Sequence, residues 1–208
     1  MEKINKVRQF FKNLQIDGYI VPKNDEFFSE YVSQNKDDLK YISNFSGSFG
    51  LALILKKKNY LFVDGRYTQQ AKIQSGKFFK IITIPQKFPS DILRNKKIRI
   101  GFDPKLHTKK LLKIFFYKSN FKLLPVEQNL IKKIKIKSNQ NKINKFFILP
   151  ERAVGKDYKL KIKKLVSELI KKKIDLQFIT ASENIAWLLN VRGQDSEFSP
   201  IPNSYLVV

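Results

Sequence analysis

The chain has 208 residues, of which 42% are hydrophobic and 28% are charged, a balance typical of a globular protein rather than a disordered one. It contains no Cys and one His, which excludes disulfide frameworks, thiolate nucleophiles and zinc sites built from paired His or Cys. The first residues lack the apolar core of a signal peptide, and no run of about 18 apolar residues occurs. We therefore expect a cytoplasmic protein that does not enter a membrane.

The formal net charge of +23 raises the hypothesis of nucleic-acid binding, because clustered cations gain affinity by releasing counterions from a phosphate backbone. Of the 41 basic residues, however, six are Arg and 35 are Lys, and the lysines are spread along almost the whole chain. Arg reads base edges through a bidentate fork, and it is scarce here. A genome rich in A and T explains this excess of Lys, Ile, Asn and Phe. A basic module for nucleic acid or an acidic partner therefore stays the less favoured alternative.

The first 134 residues alternate between predicted helices and strands. Apolar residues at helical spacing predict an amphipathic helix over 4–14, and the apolar run Gly18–Pro22 predicts a buried strand. The runs 51–55 and 60–63, joined by the polar turn 56–59, predict a β-hairpin. The other predicted elements are a helix or turn at 25–31, a helix at 65–74, a strand at 79–84, a short helix near Asp91, a strand at 98–102, a helix at 108–117 and a strand at 123–126. This alternation is typical of an α/β domain.

The second part of the chain repeats the pattern of the first. The dipeptides Ile16-Asp17 and Ile174-Asp175 each precede a short predicted strand. The segments 41–47 and 187–193 then share an aromatic residue, an aliphatic residue, Asn and Gly at the same spacing. We therefore expect a first domain at 1–134, a polar linker at 135–145 and a second domain at 146–208. The second domain is expected to be a truncated copy that stops after its second strand.

A new hydrophobic core is expected to start after the linker. The apolar residues there recur at helical spacing and predict a helix with one fully apolar face. They are Ile162, Leu165, Val166, Leu169 and Ile170.

Two segments could carry chemistry but have simpler explanations. His107 stands just before a predicted helix that begins with lysines, which favours a solvated histidine at a helix start over a metal ligand. The glycine- and serine-rich segment 44–50 precedes a strand, whereas a phosphate-binding loop precedes a helix. A tight turn that leads into the hairpin explains this segment, and Ser48 has no histidine available as a base.

The tetrapeptide Asp64-Gly65-Arg66-Tyr67 is the most informative motif. It lies at a strand-to-helix junction, where Asp64 can accept hydrogen bonds from backbone N–H groups and Gly65 can relieve the turn. Arg66 then projects from the first helical turn, which is unfavourable for a cation. The pattern leaves open whether an anion or a carbonyl of a ligand awaits this guanidinium or whether the motif is only structural.

These motifs together resemble the N-terminal region of aminopeptidase P, the Xaa-Pro aminopeptidase family. The first domain is similar in segments 17–22, 25–31, 43–50 and 63–71, and the later segment 183–205 is similar to the second domain of the three-domain form. The order and the spacing of the blocks agree over nearly the whole chain. Family members often have His where Phe27 stands and Gly where Asn44 stands, which leaves the fine substrate preference open.

The resemblance implies a creatinase-type, ribonuclease-H-like fold with a mixed sheet flanked by helices, followed by a partial second copy. It also implies a C-terminal catalytic domain outside these residues, with two Mn-class divalent ions that serve to cleave peptides with proline second. This chain alone is therefore expected to bind no metal and to be inactive, with a peptide substrate and a homodimer as partners in the complete enzyme.

The resemblance places Arg66 close to the substrate. The other motif residues are expected to be structural, with Trp187, Asn190 and Arg192 as core and loop-fixing residues. The set is Asp64, Gly65, Tyr67, Asn44, Gly47, Trp187, Asn190, Arg192 and Gly193.

Overall fold

The computed structural model describes residues 1–95, 97–117, 120–135, 145–196 and 198–208. The chain forms two compact units. Unit 1 comprises Met1–Phe28 and Gln34–Lys137, and unit 2 comprises Ser29–Ser33 and Ser138–Val208. Most of the linker expected at 135–145 lies outside the described residues.

Unit 1 is built on a six-stranded mixed sheet, as the α/β expectation requires. Its strands are β1 (Gly18–Pro22), β2 (Leu51–Leu55), β3 (Asn59–Asp64), β4 (Lys80–Ile84), β5 (Arg99–Phe102) and β6 (Lys122–Pro125). They lie in the order β4-β3-β2-β1-β5-β6. Strand β2 is antiparallel to both β1 and β3, and its pairing with β3 forms the predicted hairpin. The other neighbouring strands pair in parallel.

The helices of unit 1 include two short ones that the sequence patterns do not predict. They are α1 (Glu2–Asn13), α2 (Asp38–Ser43), α3 (Thr68–Ser75), α4 (Pro89–Leu93), α5 (Lys109–Phe115) and α6 (Leu130–Ile134). Helices α2 and α6 are too short to show helical periodicity. A side-chain cap begins each of them: Asp37 accepts from the backbone N–H of Lys40, and Asn129 accepts from that of Ile131.

The hydrophobic core lies on both faces of this sheet. Residues alternate along each strand, so Tyr19 and Val21 belong to one cluster and Ile20 belongs to the other. The first cluster includes the buried side chains of α1, whereas the second includes Phe115 of α5. Burial on both faces explains why β1, β2 and β3 appear in the sequence as continuous apolar runs.

Unit 2 contains the same succession of elements as the start of unit 1. Helix α7 (Tyr158–Lys171) leads to strand β8 (Phe178–Ile179), and helix α8 (Ser182–Leu189) leads to strand β10 (Leu206–Val207). Strands β8 and β10 pair antiparallel, as β1 and β2 do. A second small sheet joins β7 (Phe147–Ile148) to β9 (Val191–Arg192).

The turns after α1 and α7 are also equivalent. Gln15 and Lys173 both adopt left-handed backbone conformations, with φ angles of 52° and 55°. The next residues, Ile16 and Ile174, each donate a backbone hydrogen bond of 3.0 Å to a carbonyl five positions earlier. The repeat found in the sequence is therefore a structural repeat.

The apolar face of α7 is less buried than the sequence pattern predicts. Leu169 is buried, but Val166 is 38% exposed and Ile170 is 70% exposed. The predicted helix is present, but among the described residues the elements of unit 2 cover only part of its apolar face.

Candidate functional site

The Asp-Gly-Arg-Tyr motif follows directly from strand β3. Asp64 is the last residue of that strand, and Gly65–Tyr67 form a single 3₁₀ turn before α3. The Oδ1 atom of Asp64 accepts a hydrogen bond of 2.9 Å from the backbone N–H of Arg66, which caps the turn. The motif therefore fixes its own backbone through one carboxylate.

The same carboxylate also holds the Arg66 side chain. Arg66 Nη2 donates to Asp64 Oδ2 at 2.7 Å, and Arg66 Nε lies 3.2 Å from Oδ1. The hydrogen bond from Arg66 is the main cause that keeps the pKa of Asp64 below its usual value. The Arg66 side chain is nevertheless 73% exposed, and its Nη1 group donates no hydrogen bond among the described residues. The guanidinium thus keeps donors that face solvent.

Tyr67 connects the motif to the loop before β2. Its hydroxyl lies 2.8 Å from the Ser48 hydroxyl, and its ring packs edge-on against Phe45 with a centroid distance of 5.8 Å. The Arg66 guanidinium lies 5.3 Å from the centroid of the Tyr67 ring. Phe45 is fully buried, so this loop anchors the exposed motif to the core.

A second polar contact ties the same loop to helix α3. Gln70 Nε2 and Gln74 Nε2 each donate to Ser46 Oγ at 2.9 Å, and the backbone N–H of Ser46 donates to Gln74 Oε1 at 2.9 Å. No pattern in the sequence indicates that these glutamines bind Ser46. Together, the loop and α3 form a polar surface of hydroxyl and amide groups beside the motif.

Three small or turn residues of the motif blocks have different structural needs. Asn44 ends α2 in the left-handed region with a φ of 64°, which explains why the related pattern has Gly there. A Cβ at Gly47 would lie 2.3 Å from the Phe45 ring. Gly65 has no positive φ, and a Cβ there would meet nothing within 4 Å. The expectation that Gly65 relieves a tight turn is therefore wrong.

In unit 2, the segment 187–193, which repeats 41–47, is held by the buried Lys161. The sequence did not predict this role. Lys161 Nζ donates to the backbone carbonyl of Trp187 at 2.6 Å and to Asn190 Oδ1 at 2.5 Å. Burial is the main cause that lowers the pKa of Lys161, and the nearby charge of Arg192 lowers it further. The ammonium therefore binds the C-terminal end of α8, where the helix dipole favours a cation. Nothing in the sequence around Lys161 indicates that its side chain is buried.

The other motif residues of unit 2 fix the chain around this helix end. Arg192 Nη1 donates to the carbonyls of Ala186 and Val191 at 3.1 and 2.8 Å. A Cβ at Gly193 would lie 2.8 Å from Pro202. Trp187 is 62% exposed, so the expectation of a core role is wrong for this residue. Its backbone carbonyl and its ring face contact Lys161 instead.

The expectation of a solvated His107 is also wrong. The Nδ1 atom lies 2.9 Å from the Asp103 carbonyl, and the ring packs edge-on against Phe102. Its Nε2 atom is buried and has no hydrogen-bond partner among the residues that the structure describes, and burial lowers the pKa of the imidazole. The residue does precede α5, but Thr108, not His107, caps that helix.

Comparison with known families decides the relationship. A creatinase/prolidase N-terminal domain family matches residues 3–133, and a second family with the same description matches residues 136–208. The chain belongs to the creatinase/prolidase N-terminal domain family.

The relatives of this creatinase/prolidase N-terminal chain are aminopeptidases. Xaa-Pro aminopeptidase 1 of Dictyostelium discoideum is 33% identical, over 100% of this chain and 36% of that protein. The probable Xaa-Pro aminopeptidase P of Laccaria bicolor is 32% identical, over 100% of this chain and 34% of that protein. The chain thus spans about a third of the length of these relatives. These matches support the aminopeptidase resemblance and give no support to the nucleic-acid alternative.

Solved structures agree with this assignment. X-prolyl aminopeptidase from Caenorhabditis elegans matches with a TM-score of 0.85 and 27% identity, over 100% of this chain and 37% of that one. That protein is described as a cytosolic enzyme with a di-nuclear active site. Xaa-Pro dipeptidase from Bacillus anthracis shares the fold, with a TM-score of 0.51 and 22% identity over 67% of this chain.

The residues of this creatinase/prolidase N-terminal chain do not fit the metal pair of such an active site. Among the described residues, no group of three or more His, Asp or Glu side chains comes together as a metal cluster. The one His uses Nδ1 in a contact with a backbone carbonyl and buries Nε2. Within the same residues, no helix is long and apolar enough to cross a membrane.

Proposed function

We propose that this chain is the non-catalytic N-terminal part of an Xaa-Pro metalloaminopeptidase, an enzyme that releases the first residue of peptides with proline second. The match of the N-terminal domain family to both parts of the chain carries this proposal. The aminopeptidase relatives that cover the whole chain supply the substrate class. The chain would shape substrate access and assembly rather than perform the hydrolysis.

Arg66 is the residue that we propose to contact the substrate. Its guanidinium is exposed, is oriented from one side by Asp64 and keeps the Nη1 donors for a second acceptor. A planar guanidinium of this kind binds a peptide carbonyl or carboxylate through paired hydrogen bonds. Because Asp64 remains bound to Nη2 and Nε, the contact would need no new orientation of the side chain.

The polar surface around Ser46 and Ser48 supports this placement. Both hydroxyls lie on the same loop and are held by Tyr67, Gln70 and Gln74. Hydroxyl and amide groups of this kind can accept or donate hydrogen bonds along an extended peptide. We propose that this surface borders the substrate and that Arg66 provides its charged contact.

Two Mn-class ions in a catalytic domain would supply the activated water for attack on the peptide carbonyl. No residue of this chain is assigned to them. We also propose a cytoplasmic location, in line with the description of the C. elegans relative as cytosolic. The homodimer stays a prediction. Analytical ultracentrifugation of the chain and of a longer enzyme would measure the molecular mass in solution and so check it.

The test is a hydrolysis assay with a fluorogenic Xaa-Pro peptide and Mn²⁺. The 208-residue chain alone is expected to release no product. The same chain, joined to the remaining C-terminal part of the C. elegans X-prolyl aminopeptidase, is expected to release the first residue. The proposal would be contradicted if the 208-residue chain alone hydrolysed the peptide and a chelator abolished that hydrolysis.

A further inference from the structure

A basic cleft in unit 1 lies away from the Asp-Gly-Arg-Tyr motif. It has a volume of about 430 Å³ and is found where β1 begins, β2 ends and β5 begins. Strand β3 runs from Asn59, beside this cleft, to Asp64, so the cleft and the motif are separated by roughly 17 Å along the strand. The lining residues are Arg8, Phe11, Lys12, Gln15, Ile16, Asp17, Lys56 and Arg99.

Positive charge dominates the lining of the cleft. It includes four cations and one carboxylate, that of Asp17. The Asp17 carboxylate is already occupied, because Lys56 Nζ donates to Oδ1 at 2.6 Å and the backbone N–H of Arg99 donates to Oδ2 at 2.8 Å. Burial alone would raise the pKa of Asp17, but these two hydrogen bonds and the charges of Lys56 and Arg99 together outweigh burial and lower it. The remaining cations have no matching anion in the lining.

Arg8 is fixed in place by neutral oxygen atoms. Nε donates to the carbonyl of Leu55 at 3.0 Å, Nη2 to Asn59 Oδ1 at 2.8 Å and Nη1 to Asn5 Oδ1 at 3.2 Å. None of these acceptors is a carboxylate, and burial lowers the pKa of this guanidinium. A partly buried cation that neutral groups hold in one orientation is well placed to receive an anion.

Arg99 faces the cleft from the start of β5 with donors to spare. Its Nη1 lies 3.4 Å from Gln15 Oε1, at the long end of the hydrogen-bond range. The C-terminal end of α1 has a dipole that would repel an anion, but the backbone N–H groups of Leu14, Gln15 and Ile16 donate to its last carbonyls. These hydrogen bonds weaken the repulsion, and the four cations of the lining oppose what remains.

We propose that this cleft binds a small phosphate-bearing anion of the pyrophosphate class. Two guanidinium groups match the oxygen atoms of phosphates, and two lysines add charge. The small volume of the cleft and the fixed Arg8 favour a compact ligand over an extended nucleic-acid strand, whose backbone would need a continuous basic groove. The site is separate from the peptidase proposal and stands without it.

Calorimetric titration of the 208-residue chain with inorganic pyrophosphate at low salt tests this inference. Saturable one-to-one binding is expected, which weakens as NaCl is added. The double variant Lys56→Gln/Arg99→Gln should weaken binding about tenfold or more. The matched control Lys110→Gln/Lys113→Gln removes the same charge from exposed positions on α5 and should stay within about twofold of the wild type.

Arg8→Lys provides a second variant that keeps the charge and removes the guanidinium fork. It should also weaken pyrophosphate binding while the circular dichroism spectrum stays the same. Absence of saturable binding would overturn the inference. Equal losses of pyrophosphate affinity in the two double variants would also overturn it, because they indicate general charge attraction. The same holds if a single-stranded oligonucleotide binds more tightly than pyrophosphate and both double variants weaken its binding alike.

Discussion

Asn44 and Asn190 end helices α2 and α8 in the same left-handed conformation, with φ angles of 64° and 56°. Each stands three residues before a glycine, Gly47 or Gly193, in equivalent copies of the repeat. They differ in their side-chain contacts, because Asn190 accepts from Lys161 and donates to the carbonyl of Lys156. Asn44 is therefore needed for its left-handed backbone conformation, whereas Asn190 is needed for that conformation and for its side-chain hydrogen bonds.

Substitutions at these two positions should divide accordingly. Asn44→Gly should leave the free energy of unfolding within about 0.5 kcal/mol, whereas Asn44→Ala should lower it by about 1 kcal/mol, since Ala tolerates the left-handed region poorly. Asn190→Gly should cost about 1–2 kcal/mol because it removes hydrogen bonds as well. Urea denaturation followed by circular dichroism measures these differences. Equal effects of Gly at both positions would contradict the assignment.

Lys161 should stabilise unit 2 through its contacts with the end of α8. Lys161→Met removes the donor to Asn190 Oδ1 and leaves the Trp187 carbonyl only its 3.4 Å contact with the backbone N–H of Asn190, and should lower the free energy of unfolding by about 1–2 kcal/mol. Lys164→Met, one turn earlier than Glu168 on the same helix, is the exposed control and should change it little. The fluorescence of Trp187, the one Trp in the chain, reports the unfolding of unit 2. Equal effects of the two variants would refute the role.

Gly65 and Gly47 should respond in opposite directions to replacement by Ala. Gly65→Ala should stabilise the chain by about 0.5 kcal/mol, because the added Cβ meets no atom and the unfolded chain loses freedom. Gly47→Ala should destabilise it by about 1–3 kcal/mol, because the Cβ collides with the buried Phe45 ring. Thermal and urea denaturation check both values. A destabilising Gly65→Ala would show that the turn does require glycine.

His107 should make stability depend on pH in a narrow window. Burial lowers its pKa in the folded state, so the unfolded state binds more protons once the pH falls below about 6.5. The contribution of a neutral His107 is therefore present above that pH and is lost as the pH falls through the folded pKa. The free energy of unfolding should decrease from pH 7 to pH 5 in the wild type and less in His107→Gln. Parallel profiles of the two proteins would contradict this prediction.

The sequence predicts most of the architecture of unit 1 because its core strands are continuous apolar runs. The hairpin and the strand at Gly18–Pro22 follow from that pattern and match the structure. Helix α2 escapes prediction because six residues with a buried Asp38 show no helical periodicity. Its start depends on one capping aspartate, Asp37, whose role becomes visible only in three dimensions.

The candidate sites were predictable in part. The strand-to-helix position of Asp64 and Arg66 could be derived from the sequence, but the pairing of their side chains could not. The sequence left open whether an anion or a carbonyl lies opposite Arg66, and in the structure the Asp64 carboxylate supplies an anion. The burial of Lys161 and the exposure of Trp187 reverse the usual preferences of these residue types, so no sequence pattern announces them.

The proposed contact between Arg66 and a substrate peptide is tested most directly by Arg66→Ala in a polypeptide that joins this chain to the remaining C-terminal part of the C. elegans X-prolyl aminopeptidase. The control is Arg94→Ala, which removes an exposed Arg elsewhere in unit 1. We predict that kcat/KM for an Xaa-Pro peptide falls about tenfold or more in Arg66→Ala, the equivalent of about 1.4 kcal/mol, and stays near the wild-type value in Arg94→Ala. Unchanged kcat/KM in a correctly folded Arg66→Ala variant would contradict the account.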